Sequence, residues 1–582
     1  MNKSILAGCL CALCFNFSPM LAKGKTVHLK FVETTDVHGS FFPYDFINRK
    51  PKAGSLARVS SYVSRLRTAY GKNVILLENG DILQGQPVNY FSNYIDTLNH
   101  NIAADIINYL GYDAQTIGNH DVETGHRCYD KWIKEIQCPV IAANAVCADT
   151  GEPFVKPYTL LERDGVKIAV LGLITPAIPN WLENELWSGL RFVDMLTTAR
   201  HWMNVLKTKE KPDVVIGLFH AGRDGGIITP DYKENAAMEV AREVPGFDVV
   251  FFGHDHTRYA QTITNSAGQQ VLCLNPANNA MAVGVASLTL QGKKGKWTVT
   301  QREGILQDVT KEEVDKAYEA HFQPFIDKVN AYANEKIGSF KQTIYTRDSY
   351  FGNSAFNDLI QNLQLKITGA DISFNAPLSF DERIEAGDVL MSDMFNLYKF
   401  ENKLYVMKLT GKEIHHYLEM SYNLWANTMT SADDHLLLLD QATQGDAQRL
   451  GFKNFSFNFD SAAGIDYEVD VTKPAGQKVR ILRMSNGQPF DESAWYTVAV
   501  NSYRGNGGGE LLTKGAGIPK DSLESRIVWR SDKDQRYYLA EEIRKAGTLD
   551  PTPNHNWKFV PEAWTVPAAA RDRELLFKTK TR

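Results

Sequence analysis

Apolar and polar positions follow two rhythms along this chain. Between residues 26 and about 307, short apolar runs alternate with longer amphipathic stretches. Residues 27–32 alternate as a strand with one buried face does. Residues 74–77, 167–173, 214–219 and 249–252 are continuous apolar runs, the pattern of strands covered on both faces. Residues 56–70 and 100–110 repeat apolar side chains at helical spacing. Strands separated by helices predict an α/β layered fold. Residues 314–336 read as a polar-faced helix without glycine, a connector. A second region follows, with strand-like runs at 404–409 and 495–500 and a helix at 411–418. The segment Arg504-Gly505-Asn506-Gly507-Gly508-Gly509 demands a permissive backbone.

These boundaries predict a targeting segment (1–22), a first domain (26–310), a connecting helix (311–337), a second domain (338–565) and a peripheral tail (566–582). A chain of 582 residues exceeds one ordinary core, which agrees with two domains. The near balance of 63 basic and 68 acidic residues argues against a nucleic-acid polymer as partner. Lys3, the apolar run 5–17 and Ser18-Pro19-Met20-Leu21-Ala22 form a signal-peptide pattern, with a buried N-terminal helix as the rival reading. The run is too short for a membrane span, and no later stretch is long enough. A periplasmic or cell-surface protein is expected. Leu6-Ala7-Gly8-Cys9 resembles a lipoprotein-processing box, but only residues 5–8 would serve as its apolar region, so a lipid tether is the minor reading. Four cysteines lie beyond this segment: Cys128, Cys138, Cys147 and Cys273. One disulfide and buried free thiols are equally compatible with their spacing.

Candidate chemistry sits at the ends of the apolar runs. Residues 32–35 lead to Asp36-Val37-His38-Gly39, and residues 76–79 to Gly80-Asp81. Thr116-Ile117 leads to Gly118-Asn119-His120-Asp121, Leu218-Phe219 to His220, and Phe251-Phe252 to Gly253-His254-Asp255-His256. Any one of these is an ordinary polar strand end or turn. Five in order are not, because strand ends in an open α/β sheet converge on one edge, where ligands bind. Mixed imidazole, carboxylate and amide donors suit Mn, Zn, Fe, Co or Ni better than Mg or Ca. The two oxygens of one carboxylate, Asp81, suffice to bridge two ions. A dinuclear site of this kind stabilises the attacking and leaving oxygens of an in-line displacement.

The series D-x-H, G-D, G-N-H-[DE], H and G-H-x-H resembles the calcineurin-like metallophosphoesterase signature. The wider set T-T-D-V-H-G, N-G-D-x-x-Q-G, T-x-G-N-H-D and F-G-H-D-H, followed by L-T-G-K-E-I and N-S-Y-R-G-N-G-G, is similar to the exported bacterial 5′-nucleotidase and 2′,3′-cyclic-nucleotide 2′-phosphodiesterase family. That resemblance covers nearly all of the chain after the signal pattern. It implies a layered β-sandwich flanked by helices, followed by an α+β substrate-specificity domain. It also implies two divalent metal ions, one held by Asp36, His38, Asp81 and His256, the other by Asp81, Asn119, His220 and His254. His120 stays outside the metal shell as general acid or charge stabiliser, oriented by Glu123, with Asp121 as the alternative partner.

Family members stack a nucleobase between two aromatic rings of the second domain, a recognition mode open to every base. Residues 451–460 resemble the first such loop and point to Phe457. Asn501-Ser502-Tyr503-Arg504 with Gly507-Gly508 resembles the second and points to Tyr503 and Gly507. Phe455, Phe457 and Phe459 also alternate at strand spacing, so a core face competes with the stacking role. Asn375 falls where the family carries Gly-Gly-Ile-Arg. Here Asn375-Ala376-Pro377-Leu378 lacks that arginine, and Arg347 and Arg383 are out of register. This departure argues against strict 5′-monophosphate specificity. The loop Asn458-Phe459-Asp460 to Gly464, with Tyr467 and Tyr503-Arg504, more nearly resembles the 2′,3′-cyclic-nucleotide phosphodiesterase/3′-nucleotidase branch, with a 5′-nucleotidase as the other reading. The expected protein is a monomeric phosphohydrolase of small nucleotides. Its rivals are a hydrolase of UDP-sugars, of other phosphoesters or of sulfur-bearing substrates, and a non-catalytic nucleotide-binding relative.

Overall fold

The computed structural model describes residues 25–577 except 294 and 445–448. The signal pattern therefore lies outside the described residues. Five strands position the chemistry: β1 (Lys25–Thr34), β2 (Val74–Glu78), β3 (Ala114–Thr116), β4 (Val214–His220) and β5 (Val249–Phe252). One six-stranded sheet contains β1, β2 and β3 side by side and parallel. The antiparallel strands Ala282–Lys293 and Lys296–Asp308 extend it beyond β1. A second six-stranded sheet has β4 and β5 at its centre, again parallel.

The two sheets face each other. Leu29 and Phe31 of β1 and Ile75 and Leu77 of β2 pack against Ile216 and Leu218 of β4 and Val249 and Phe251 of β5. The opposite face of each sheet is covered by helices, including Leu56–Tyr70 and Ile102–Leu110 on the first and Met195–Val205 on the second. This explains the continuous apolar runs: a strand in the middle layer of such a sandwich meets apolar neighbours on both sides. The architecture is the expected α/β sandwich flanked by helices.

The helix Lys316–Ala333 leads to the second region. There a five-stranded sheet runs in the order Ser461–Ala463, Ile372–Asn375, Trp495–Asn501, Lys403–Thr410, Ile527–Asp534. The helix Gly411–Trp425 opens with a capping box, in which Thr410 accepts from Glu413 N and Glu413 accepts from Thr410 N. The described part of the segment read as a peripheral tail, 566–577, is docked instead. It belongs to the helix Glu562–Phe577, whose Asp572 is fully buried and accepts Leu437 N at 2.9 Å. Charge at its other positions hides this in the sequence. All four cysteines are free thiols, and Cys128 and Cys273 are buried.

Polar contacts join the two regions. Tyr90 Oη donates to Asp534 at 2.7 Å, Tyr405 Oη donates to the buried Glu183 at 2.6 Å, and Lys403 Nζ lies 2.8 Å from the same Glu183. The second region therefore sits beside the loops that follow the strands of the first.

Candidate metal centre

Strand register sets the first contacts. Thr34 of β1 pairs with Glu78 of β2, so the two chains leave the sheet level with each other. Asp36 N then donates to Gly80 O and His38 N to Asp81 O, each at 3.0 Å. Asn79 links the two sheets by donating to Glu33 Oε1 at 2.9 Å and to Phe219 O at 3.1 Å.

The turns beyond the strands have an unusual backbone. Asp36, His38, Asp81, His254 and His256 all have φ between 46° and 72°. Non-glycine residues seldom adopt this left-handed region, and each instance costs on the order of 1–3 kcal/mol. Five such residues in one cluster mark strain held by the surrounding fold, a hallmark of functional sites. Close packing fixes two motif glycines as well. A Cβ on Gly118 would lie 2.1 Å from Asp81 Oδ1, and one on Gly253 would lie 2.1 Å from Thr35 Oγ1.

Two groups of donor atoms result. Asp36, His38 and His256 form one, and Asp81, His220 and His254 the other, with the ligand atoms of each group within 4.8 Å of one another. His38 Nε2 and His256 Nε2 face each other at 3.1 Å. His220 Nε2 lies 3.1 Å from Asn119 Oδ1 and 3.2 Å from Asp81 Oδ2. The opposite ring nitrogens are held by backbone carbonyls: Asn79 O for His220 at 2.7 Å and Gln84 O for His38 at 3.2 Å. Both rings thereby aim Nε2 into the cluster. Asp81 Oδ2 is buried and receives no well-directed hydrogen bond. An orphaned carboxylate oxygen beside convergent imidazole nitrogens fits divalent cations and little else.

The donor groups hold one another in different charge states. Burial lowers His220, but the charge and hydrogen bond of Asp81 outweigh it and raise the ring to about 9, so His220 must release a proton to ligate. Burial pushes the Asp36 carboxyl up, but the hydrogen bond and charge of His256 outweigh it and hold the group at about 2. Burial and the neighbouring His256 charge lower His38 to about 3, so its imidazole is neutral, the form that binds a metal.

His120 borders this cluster. Its backbone N donates to Asp81 Oδ1 at 2.8 Å, and its Nδ1 lies 2.5 Å from Glu123 Oε2. Burial lowers its affinity for a proton, yet Asp81 and then Glu123 lift it to about 10. Cations bound beside Asp81 would offset part of that rise. Asp121 is not the alternative partner. Its two oxygens accept four backbone amides, from Asp81, Ile82, Leu83 and Gly118, at 2.8–2.9 Å. It fixes the turn that carries Asp81 and has no oxygen left for His120.

In the second region, Phe457 lies on a single 3-10 turn, Ser456–Asn458, and not on a strand. Phe455 and Phe457 stack at 5.2 Å, whereas Phe459 alone is core, stacked on Trp425 at 5.7 Å. Tyr503 lies 6.4 Å from Phe457, edge to face. Arg504 holds these two segments together. Its buried guanidinium donates to Asp460 through Nε and Nη2, each at 3.0 Å, and to Asn458 Oδ1 and Gly508 O through Nη1 at 2.9 and 3.0 Å. Gly507 has φ 92°, and a Cβ on Gly508 would meet the Tyr503 ring at 2.6 Å. The aromatic pair lies near the metal cluster. Burial pushes the Tyr503 phenol up, the Arg504 charge opposes it and the charge of Glu234 adds to it, and Glu234 itself contacts His254.

The calcineurin-like phosphoesterase model matches residues 29–258, and the 5′-nucleotidase C-terminal domain model matches residues 334–514. The chain belongs to the calcineurin-like phosphoesterases that carry a 5′-nucleotidase C-terminal domain. It is a metal-dependent phosphoester hydrolase and takes divalent metal ions. It is 28% identical to the 2′,3′-cyclic-nucleotide 2′-phosphodiesterase/3′-nucleotidase of Haemophilus influenzae, over 93% of this chain and 89% of that protein. It is 25% identical to the protein UshA of Escherichia coli, over 81% and 94%. A putative 5′-nucleotidase from Staphylococcus aureus has the same fold, with a TM-score of 0.74 at 20% identity over 91% of this chain and 99% of that one.

Other residues of the phosphoesterase fall away from, or come into, the site unannounced. Asn375 is buried, at 2% exposure. Its Nδ2 donates to Asn357 Oδ1 at 2.5 Å and Ala376 O at 3.0 Å and so serves the interior, while its Oδ1 has no hydrogen-bond partner among the described residues. Arg347 and Arg383 are engaged with Asp381 at 2.6 Å and Glu385 at 2.7 Å. Trp181 was not singled out by spacing, yet its ring lies 5.7 Å from that of His254. Glu234 also reaches the cluster, 3.2 Å from His254 Nε2, and no motif links a hairpin residue to a histidine twenty positions on. Among the described residues, no helix is long and apolar enough to cross a membrane.

Proposed function

We propose that the chain is an exported hydrolase that removes phosphate from small nucleotides, with 2′,3′-cyclic and 3′-esters preferred over 5′-monophosphates. The observation that carries this reading is the join between the two donor groups. Asp81 stands beside His220, its backbone holds His38, and its Oδ1 anchors His120. On this reading Asp36, His38, Asp81 and His256 hold one ion, and Asp81, Asn119, His220 and His254 the other. When bound, such a pair activates water and neutralises charge on the phosphoryl oxygens.

The chain's own groups do the rest. Glu123 fixes the His120 ring through Nδ1, so Nε2 is the nitrogen available to protonate a leaving oxygen or to steady phosphoryl charge. Phe457 and Tyr503 offer two aromatic faces for a base. The preference for cyclic and 3′-esters is supported by the Haemophilus influenzae relative's name and by the engagement of Arg347 and Arg383 in ion pairs. A guanidinium is the natural grip for a terminal phosphate, and neither of these two is free. Export is supported by the signal pattern of Lys3 and residues 5–22.

Hydrolysis of 2′,3′-cyclic AMP, 3′-AMP and 5′-AMP, each with added Mn and with excess chelator, tests the reading. Chelator is expected to abolish turnover and Mn to restore it, with the cyclic and 3′ substrates ahead. Turnover that survives complete metal removal overturns the metal assignment. A clear preference for 5′-AMP overturns the substrate order.

A further inference from the structure

Three of the four histidines in the two donor groups have a neighbour fixing the ring nitrogen turned away from the cluster. For His38 and His220 it is a backbone carbonyl, and Nε2 points inward. His254 is reversed. Its Nε2 lies 3.2 Å from Glu234 Oε1, and its Nδ1 has no hydrogen-bond partner among the described residues. It is also the only one of the three whose partner is a carboxylate.

Glu234 is placed for this contact by a hairpin that arises just after His220. The strands Gly225–Ile228 and Lys233–Asn235 pair antiparallel. Two clamps fix the hairpin at its base. Asn235 Oδ1 accepts Gly222 N at 2.9 Å, and Asp255 Oδ2 accepts Arg223 N at 2.8 Å. Asp255 is the residue between His254 and His256, so the hairpin is bound to the same turn that presents both histidines. Glu234 Oε2 accepts Ile227 N at 2.6 Å across the hairpin, which holds the carboxylate rigid, and Oε1 turns to His254 at 3.2 Å with only a long contact of 3.5 Å from Asn235 Nδ2 beside it. Both side chains are nearly buried, at 13% and 12% exposure, so water competes weakly for the contact.

We propose that Glu234 is a positioning residue for the ion held by His254: it accepts the Nε2–H of that ring, fixes the tautomer that leaves Nδ1 free as the ligand atom, and strengthens Nδ1 as a donor. The inference rests on the metal reading above. A carboxylate behind a metal-bound imidazole raises ligand basicity more than a backbone carbonyl does, and loss of such a partner weakens metal binding by about 10–100-fold. The ion held with Asp36 and His38 has no such dependence on Glu234.

The test is metal retention by the full chain. Wild type, Glu234→Ala and Glu234→Gln are loaded with Zn alone and titrated with a chelator of known affinity, with bound metal counted by elemental analysis and folding followed by near-ultraviolet circular dichroism. In Glu234→Ala one ion is expected to leave at about 10–100-fold lower chelator strength while the other is unchanged. Glu234→Gln keeps an acceptor oxygen and the hairpin contact but not the charge, and is expected to fall between. A folded Glu234→Gln or Glu234→Ala that releases both ions within twofold of wild type overturns the inference. So does equal weakening of both ions. A wild-type chain that binds fewer than two ions overturns instead the metal reading on which the inference stands.

Discussion

Glu123 Oε2 lies 2.5 Å from His120 Nδ1, three residues earlier on the same short helical segment. The contact turns the imidazole so that its other nitrogen is free, while the backbone of His120 is pinned to Asp81. On the proposed reading, acid chemistry and metal binding share one turn of chain. His120→Ala is expected to lower kcat by about a hundred- to ten-thousand-fold with metal content unchanged, the range for loss of a general acid. Glu123→Gln keeps a hydrogen-bond partner but loses the charge, and a smaller fall of roughly tenfold in kcat is expected. Steady-state hydrolysis of 3′-AMP with Mn checks both. A loss below about tenfold for His120→Ala removes the residue from the chemistry.

Asp121 should behave differently from its neighbours. Its carboxylate accepts four backbone amides and is fully buried. Asp121→Asn would turn an amide donor towards those N–H groups. A stability loss of about 3 kcal/mol or more is expected, in line with the cost of breaking buried hydrogen bonds to a charge. Urea unfolding of metal-free protein measures it. Unchanged stability with lost turnover would return Asp121 to the catalytic set.

What the sequence discloses and what it hides divide along physical lines. The donor residues were legible because aspartate, asparagine and histidine at the ends of apolar runs are costly there without a purpose. The sandwich was legible because the runs of β2, β4 and β5 suit strands covered on both faces. The left-handed backbone at Asp36, His38, Asp81, His254 and His256 leaves no trace in residue order, since aspartate and histidine are common in ordinary turns too. Phe455, Phe457 and Phe459 read equally well as a strand. They form a turn instead because Arg504, more than forty residues on, binds Asn458 and Asp460 and draws the loop to the Tyr503 segment. Glu234 was invisible for the same reason: its partner is chosen by a hairpin's position, not by spacing.

That bond between loops makes a prediction about substrate binding. Tyr503→Ala and Phe457→Ala should each raise KM by roughly 5–150-fold, the equivalent of about 1–3 kcal/mol per stacked base. Tyr503→Phe keeps the face and should stay near wild type. Arg504→Gln leaves Asp460 buried without its cation, so a stability loss of about 3–5 kcal/mol should accompany a raised KM. Nucleotide titration and thermal melts separate the two effects. An Arg504→Gln chain with wild-type stability would show that the guanidinium is not the link between the loops.

A last prediction concerns pH and lies away from the site. His415 Nδ1 sits 2.9 Å from Glu492 Oε1 and its Nε2 2.9 Å from Val479 O, with Glu419 at 3.8 Å. The Glu419 carboxylate, at 3.8 Å an ion-pair partner and not a hydrogen-bond acceptor, is opposed by burial and aided by Glu492, and the two carboxylates together raise the ring's pKa to about 9. An unfolded histidine titrates near 6.5, as a rough reference. Below that pH both states carry the proton and the full stabilisation is present. As pH rises towards about 9 the folded chain alone retains the proton, so the contribution declines, and above that value it is gone. Glu492 is well exposed, so solvent screening reduces the effect to about 1 kcal/mol. Urea unfolding of wild type and His415→Gln on both sides of this window should show the wild-type advantage shrinking as pH rises. An advantage that stays constant with pH would mean that His415 contributes through neutral hydrogen bonds and not through charge.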